Sequence, residues 1–128
     1  MLRTKIVIIL ISLFLPLLLN GENWTILVYM AADNGLCLNA VKDINEMEAA
    51  EIDDNLNVIV QVDYSETQPI STARRCKISS DDNPETISSH LISDIGEIDS
   101  GSWITLKNFA NWGFSNYPSS KKALIIWS

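Results

Sequence analysis

Few residues in this sequence have side chains suited to covalent chemistry. There is one histidine, His90, and there are two cysteines, Cys37 and Cys76. A cysteine nucleophile needs an imidazole within hydrogen-bond reach, and nothing in the spacing of these three brings them together. Cys37 opens a helical pattern, Cys76 lies in a short extended stretch, and His90 falls in a polar region that reads as exposed. There is no CxxC and no His-rich tract, so a zinc site is not indicated. Asp33 and Asp63 are a second candidate pair, since each closes a short apolar run. Two acids at neighbouring strand ends suit Mg²⁺-dependent phosphoryl transfer. That chemistry also calls for a glycine-rich phosphate loop and a nearby Lys, and neither accompanies them. The simpler reading is that Asp33 caps a helix and Asp63 opens a turn. Arg74-Arg75 is either a protease-sensitive pair or an exposed pair on an edge strand, where charge is common. Trp112 and Phe114 read as packing rather than as a ligand box.

The elements that must carry these residues follow from periodicity. Trp24–Ala32 and Asn57–Asp63 are continuous apolar runs, as is Ala123–Trp127. Strands of a parallel sheet are covered on both faces and read this way, whereas half-exposed strands alternate. Asp33 or Asn34 is a suitable cap for a helix after the first run. From Leu36 the apolar positions Cys37, Val41, Ile44 and Met47 or Glu48 recur at spacings of four and three, with Lys42, Asn45, Glu46 and Glu51 facing elsewhere. This helix is expected to end near Ile52, and with its two flanking strands it forms one right-handed βαβ unit. Ser71–Ile78 reads as a short extended strand after a polar turn. The stretch from Pro84 to Gly96 reads two ways: Ile87, Leu91 and Ile95 recur every four residues, yet Ser88, Ser89, Ser93 and Asp94 are poor helix formers. A second helix is expected over Ile104–Tyr117, capped from the Ser100-Gly-Ser102 linker and ended by Pro118. Gly113 costs this helix roughly 1 kcal/mol relative to Ala, which a close approach to the sheet would offset.

The chain has 128 residues, enough for one domain. Met1-Leu-Arg-Thr-Lys5 is a basic start, Ile6–Leu19 is apolar throughout, and Asn20-Gly21 follows. The apolar run is shorter than the roughly 20 residues of a membrane span, so residues 1–21 read as a signal peptide, with an uncleaved anchor as the alternative. Losing Arg3 and Lys5 with that segment moves the formal charge from −7 to −9, because all 16 acids remain. Nucleic-acid binding depends on Lys and Arg, so an acidic chain of this kind argues against that partner. Export would permit a Cys37–Cys76 disulfide, although the spacing reads better as two separate thiols. Asn23-Trp24-Thr25 matches the glycosylation sequon, which matters only in a host that glycosylates.

Trp24-Thr-Ile-Leu-Val-Tyr-Met-Ala-Ala-Asp-Asn34 resembles the opening of the clostripain family of cysteine peptidases. So do Asp43-Ile-Asn-Glu-Met47, Val58-Ile-Val-Gln-Val-Asp63, Arg74-Arg75, Asp94-Ile-Gly-Glu97, and Asn116-Tyr-Pro118 leading to Ala123-Leu-Ile-Ile-Trp127. The resemblance runs in order from Trp24 to the last residue. It implies a caspase-like fold and an endopeptidase that cleaves after basic residues through a Cys–His dyad and a thioester acyl-enzyme. It places the catalytic His just after the strand that resembles Ala123–Trp127, and the catalytic Cys at the end of a later strand. Both positions fall beyond Ser128, so no residue of this sequence receives a catalytic role, and no cofactor or metal ligand is assigned. Ser128 stands where the family usually has Asp or Asn, and the linker before the second helix departs from the family pattern, with Trp103 in it.

The expected fold is therefore α/β: the N-terminal half of a caspase-like αβα sandwich with a mainly parallel sheet, over residues 22–128. The expected function is the front part of a secreted clostripain-like cysteine endopeptidase, inactive alone, acting on protein or peptide substrates when complete. A membrane is expected to be a partner only through the N-terminal segment, if uncleaved. The alternative is a small exported α/β domain that binds a partner without catalysis.

Overall fold

The computed structural model describes residues 23–128, so the expected signal peptide at 1–21 lies outside the described residues. The element order is β1 (Trp24–Ala32), α1 (Cys37–Glu48), β2 (Leu56–Tyr64), β3 (Ala73–Lys77), β4 (His90–Gly96), α2 (Trp103–Asn116) and β5 (Lys121–Trp127). They form one five-stranded sheet in the order β4-β3-β2-β1-β5. The three apolar runs are the parallel strands: β1 pairs with β2 from Trp24↔Leu56 to Ala32↔Tyr64, and with β5 from Trp24↔Lys121 to Met30↔Trp127. β3 and β4 extend the sheet as an antiparallel pair beyond β2.

Both faces of the central strands are covered, which is why their sequences do not alternate. Val28, Met30, Val58, Val60 and Val62 pack with Cys37, Ala40 and Ile44 of α1. Leu27, Tyr29 and Ile59 pack on the other face with Phe109 of α2. At Gly113 α2 lies close against the sheet: a Cβ there would lie 2.6 Å from Leu27 Cδ1, so the expected reason for the glycine holds. Ser102 caps α2 by accepting from the Ile104 N–H at 3.3 Å.

Two expectations change, and one open reading is decided. Helix α1 stops at Glu48, where the Ala49 N–H bonds back to Asn45 O, several residues before Ile52. Asn45 does not face solvent but is buried, with its Nδ2 donating to Val41 O at 3.1 Å. The Pro84–Gly96 stretch, which read two ways in the sequence, ends in strand β4, antiparallel to β3. The outer edge of β3 offers unpaired backbone groups, and pairing with them satisfies β4 where serines and Asp94 would weaken a helix. Gly96 closes the strand at φ 71°, a conformation that favours glycine. No described helix is long and apolar enough to cross a membrane.

Candidate functional site

In open α/β sheets, ligands gather beyond the carboxyl ends of the strands. Here that edge carries Asp33 after β1 and Asp63 near the end of β2, where Asp63 pairs with Ala31. Asp33 is exposed, whereas Asp63 is only 2% exposed. The Asn34 side chain, not a helix cap, shapes the turn after β1: its Oδ1 accepts from the Leu36 N–H and its Nδ2 donates to Ala31 O. Leu36 occupies the cap position of α1, which has no side-chain cap. The expected capping role of Asp33 or Asn34 is therefore replaced by an Asx-type turn.

Tyr29 and Asp63 lie on the α2 face of the sheet and converge on one residue of the loop between β4 and α2. Tyr29 Oη donates to Ser100 O at 3.0 Å. Burial raises the Asp63 pKa above the ordinary carboxylate value; the Ser100 side chain opposes this, and the nearby Asp33 and Asp99 charges add to the rise. Burial, with Asp63 and Asp99, also raises the Tyr29 phenol. The Asp33 charge thus bears on Asp63, but among the described residues no three His, Cys, Asp or Glu side chains stand close enough to hold a metal ion.

The other candidate residues are dispersed. Cys37 and Cys76 are both buried free thiols. Cys37 Sγ accepts from the Ser65 N–H at 3.4 Å. Burial, followed by the Glu48 charge, pushes the Cys76 thiol up to about 12, so it is protonated at neutral pH and a poor nucleophile. His90 is exposed and pairs with Lys77, one position along from the Cys76↔Leu91 pair, so it points to the opposite face from Cys76. Arg74 and Arg75 are on β3, which is flanked by β2 and β4 and is not an edge. Arg74 Nε lies 3.3 Å from Asp94 Oδ2. Arg75 lies 4.2 Å from the centroid of the Trp112 ring, and its Nε donates to Gln61 Oε1 at 2.8 Å. Trp112 in turn stacks on Phe109. Neither arginine is the exposed edge pair that the sequence suggested, and Trp112 serves packing as expected.

Glu48 went unassigned in the sequence reading. It is completely buried, and its Oε1 accepts from the Ser88 and Ser89 N–H groups at 3.0 and 2.7 Å. A Glu on the apolar side of a helix was the available signal. The carboxylate fastens the loop before β4 to the end of α1.

The last strand completes the site's frame. β5 lies beside β1, and Trp127 Nε1 donates to Asp43 Oδ2 at 2.7 Å, which ties the end of β5 to α1. Among the described residues no strand pairs with the far edge of β5, and Leu124, Ile125 and Ile126 are exposed. The profile of the clostripain family, Peptidase_C11, matches residues 28–128. The chain belongs to the clostripain family.

A solved structure titled a B. fragilis cysteine protease is 25% identical, with a TM-score of 0.69, over 84% of this chain and 89% of that one. A secreted C11 cysteine protease from Bacteroides thetaiotaomicron, in complex with an irreversible peptide inhibitor, is also 25% identical, with a TM-score of 0.65, over 83% of this chain. This clostripain-family chain spans only 29% of that protease's length. A clostripain from Bacteroides thetaiotaomicron ATCC 29148, in complex with the peptide inhibitor BTN-VLTK-AOMK, shares the fold at 12% identity and a TM-score of 0.62, over 84% of this chain and 90% of that one. No curated protein matches the chain. The expected caspase-like α/β fold and the family resemblance both hold.

Proposed function

We propose that this chain is the front part of a secreted cysteine endopeptidase that cleaves peptide bonds after basic residues, and that the catalytic His and Cys are supplied from beyond Ser128. The observation that carries this reading is β5. It lies beside β1 with an apolar outer edge that no described strand pairs with, and its carboxyl end is at the same edge of the sheet as Asp33 and Asp63. A further parallel strand beside β5 would bring its own carboxyl end to that edge. In the reaction proposed, the Cys thiolate attacks the scissile carbonyl and forms a thioester as the C–N bond breaks. The imidazole protonates the leaving amine, and backbone N–H groups hold the oxyanion. Water then hydrolyses the thioester and restores the thiol. Peptide recognition is supported by the peptide inhibitors bound to two of the solved structures. Secretion is supported by the description of one of them as secreted and by the composition of residues 1–21.

The test is hydrolysis of fluorogenic peptides ending in Arg, Lys or Ala by protein purified from its native source. Cleavage of the Arg or Lys peptides, blocked by a thiol alkylator, supports the reading. A stable product that cleaves none of them removes it. The same open edge favours a second reading, a small exported binding domain whose partner adds a strand to β5. A defined complex at the β5 edge without peptidase activity would select that reading.

A further inference from the structure

Two cavities adjoin on the α1 face of the sheet. This is the face opposite Asp63, because Val62 and Tyr64 alternate with it along β2. The larger, of about 310 Å³, runs from Val41 of α1 to Pro69 and Ile70 of the β2–β3 loop. The smaller, of about 160 Å³, lies against Arg74 and Cys76 of β3. Tyr64, Ile70 and Ile87 line both. The larger alone reaches the lower end of the roughly 300–1,000 Å³ usual for small-molecule sites.

The fold builds these walls with fixed contacts. Ile87 directly precedes Ser88 and Ser89, whose N–H groups donate to Glu48 Oε1. A fully buried acid thus fixes the wall that Ile87 forms. On the opposite side, the Gln68 N–H donates to Ser65 O at 2.9 Å and closes the turn that leads into Pro69 and Ile70. Walls fixed in advance spare a ligand the cost of ordering them.

The chemistry of the two cavities differs. Val41, Pro69, Ile70 and Ile87 make the larger one largely apolar. In the smaller one Arg74 supplies a cation, and its Nε is buried without a hydrogen bond. Asp94 Oδ2 lies 3.3 Å from that nitrogen. However, Asp94 is exposed and lines neither cavity, so water screens the pair. No carboxylate lines either cavity, although the chain has 16 acids. An arginine in such a setting is complementary to a carboxylate. Burial above all pushes the Tyr64 phenol up to about 12, so it stays protonated at neutral pH and can donate to the same group.

We infer that the two cavities form one binding site for a small amphipathic carboxylate. Its apolar body lies in the larger cavity against Ile70 and Ile87, and its carboxylate reaches Arg74 and Tyr64. The inference rests on the α1 face and is independent of the peptidase reading.

The test titrates the native gene product with octanoate, octan-1-ol and octylammonium by calorimetry. Octanoate should bind about tenfold more tightly than octan-1-ol, because only the acid makes a charge-assisted hydrogen bond to Arg74. Octylammonium should not bind. Arg74→Gln should weaken octanoate about tenfold and change octan-1-ol about twofold at most. Ile70→Trp fills the larger cavity from a side chain that is 39% exposed, so it should abolish octanoate binding at an unchanged Tm. Octanoate that binds no more tightly than octan-1-ol or octylammonium would overturn the inference. So would an Ile70→Trp protein that binds octanoate as the parent does, or a parent that gives no binding heat with millimolar octanoate.

Discussion

Asp63 carries a charge that the fold opposes. Its folded pKa lies above the unfolded value, because burial and two neighbouring acids disfavour the carboxylate. A raised carboxyl pKa means that the native state holds the proton more tightly than the unfolded chain. Stability is therefore lost as pH rises from about 3.9, the unfolded value, through the higher folded one. Asp63→Asn removes that cost, so its Tm in thermal unfolding should exceed the parent's at pH 7, and the difference should vanish below about pH 3.9. A lower Tm at pH 7 would show that the charge stabilises the fold. Glu48 is fully buried, and its Oε1 alone accepts from two backbone N–H groups. Glu48→Ala strands those donors and should cost about 2 kcal/mol in urea unfolding. At this scale the sequence was only partly legible. It singled out Asp63, but the groups that act on its charge include Ser100 and Asp99, far along the chain, and no local spacing links them. Cys76 and Arg75 were visible as residue types, but their burial and stacking depend on β3 lying between β2 and β4 rather than at an edge.

The elements were legible where one signal dominated. Trp24–Ala32 and Ala123–Trp127 are uninterrupted apolar runs, and both became parallel strands; β1 is covered on both faces as that pattern requires, whereas β5, at the sheet edge, leaves Leu124, Ile125 and Ile126 exposed. The helix over Trp103–Asn116 was fixed by its apolar face and by Ser102 before it. β4 was not legible, because its apolar residues fit a period of four and its strand state depends on pairing with β3, a partner that no local pattern reveals. Gly113 tests the packing of α2 directly. In an unconstrained helix, Gly→Ala gains up to about 1 kcal/mol. Here the added methyl would meet the fully buried Leu27 side chain, with Cδ1 at 2.6 Å and Cδ2 at 2.7 Å. Overpacking of this kind costs about 1–3 kcal/mol. Gly113→Ala should therefore lower the unfolding free energy, and Leu27→Ala in the same chain should relieve the clash, so that the double variant loses less than the sum of the two single changes.

For the whole molecule, the asymmetry of the sheet matters most. One edge ends in β4, which carries His90, Ser93 and Asp94; the other ends in β5, with Ile126 61% exposed. An apolar strand with unpaired backbone groups is a template for association. The 128-residue polypeptide made alone should therefore be poorly soluble, or populate oligomers in sedimentation. Ile126→Lys should raise its soluble monomer fraction, because a charge on that strand opposes edge pairing. A parent chain that is monomeric and unfolds in a sharp, reversible transition would contradict this. The same edge is where the proposed enzyme adds its next strand. The most direct test is the intact mass of the native gene product, together with the coding sequence read past codon 128. The peptidase account predicts a reading frame that continues, with a His close after Ser128 and a Cys at the end of a following strand. A stop after Ser128, with a mass that matches the short chain, would contradict it.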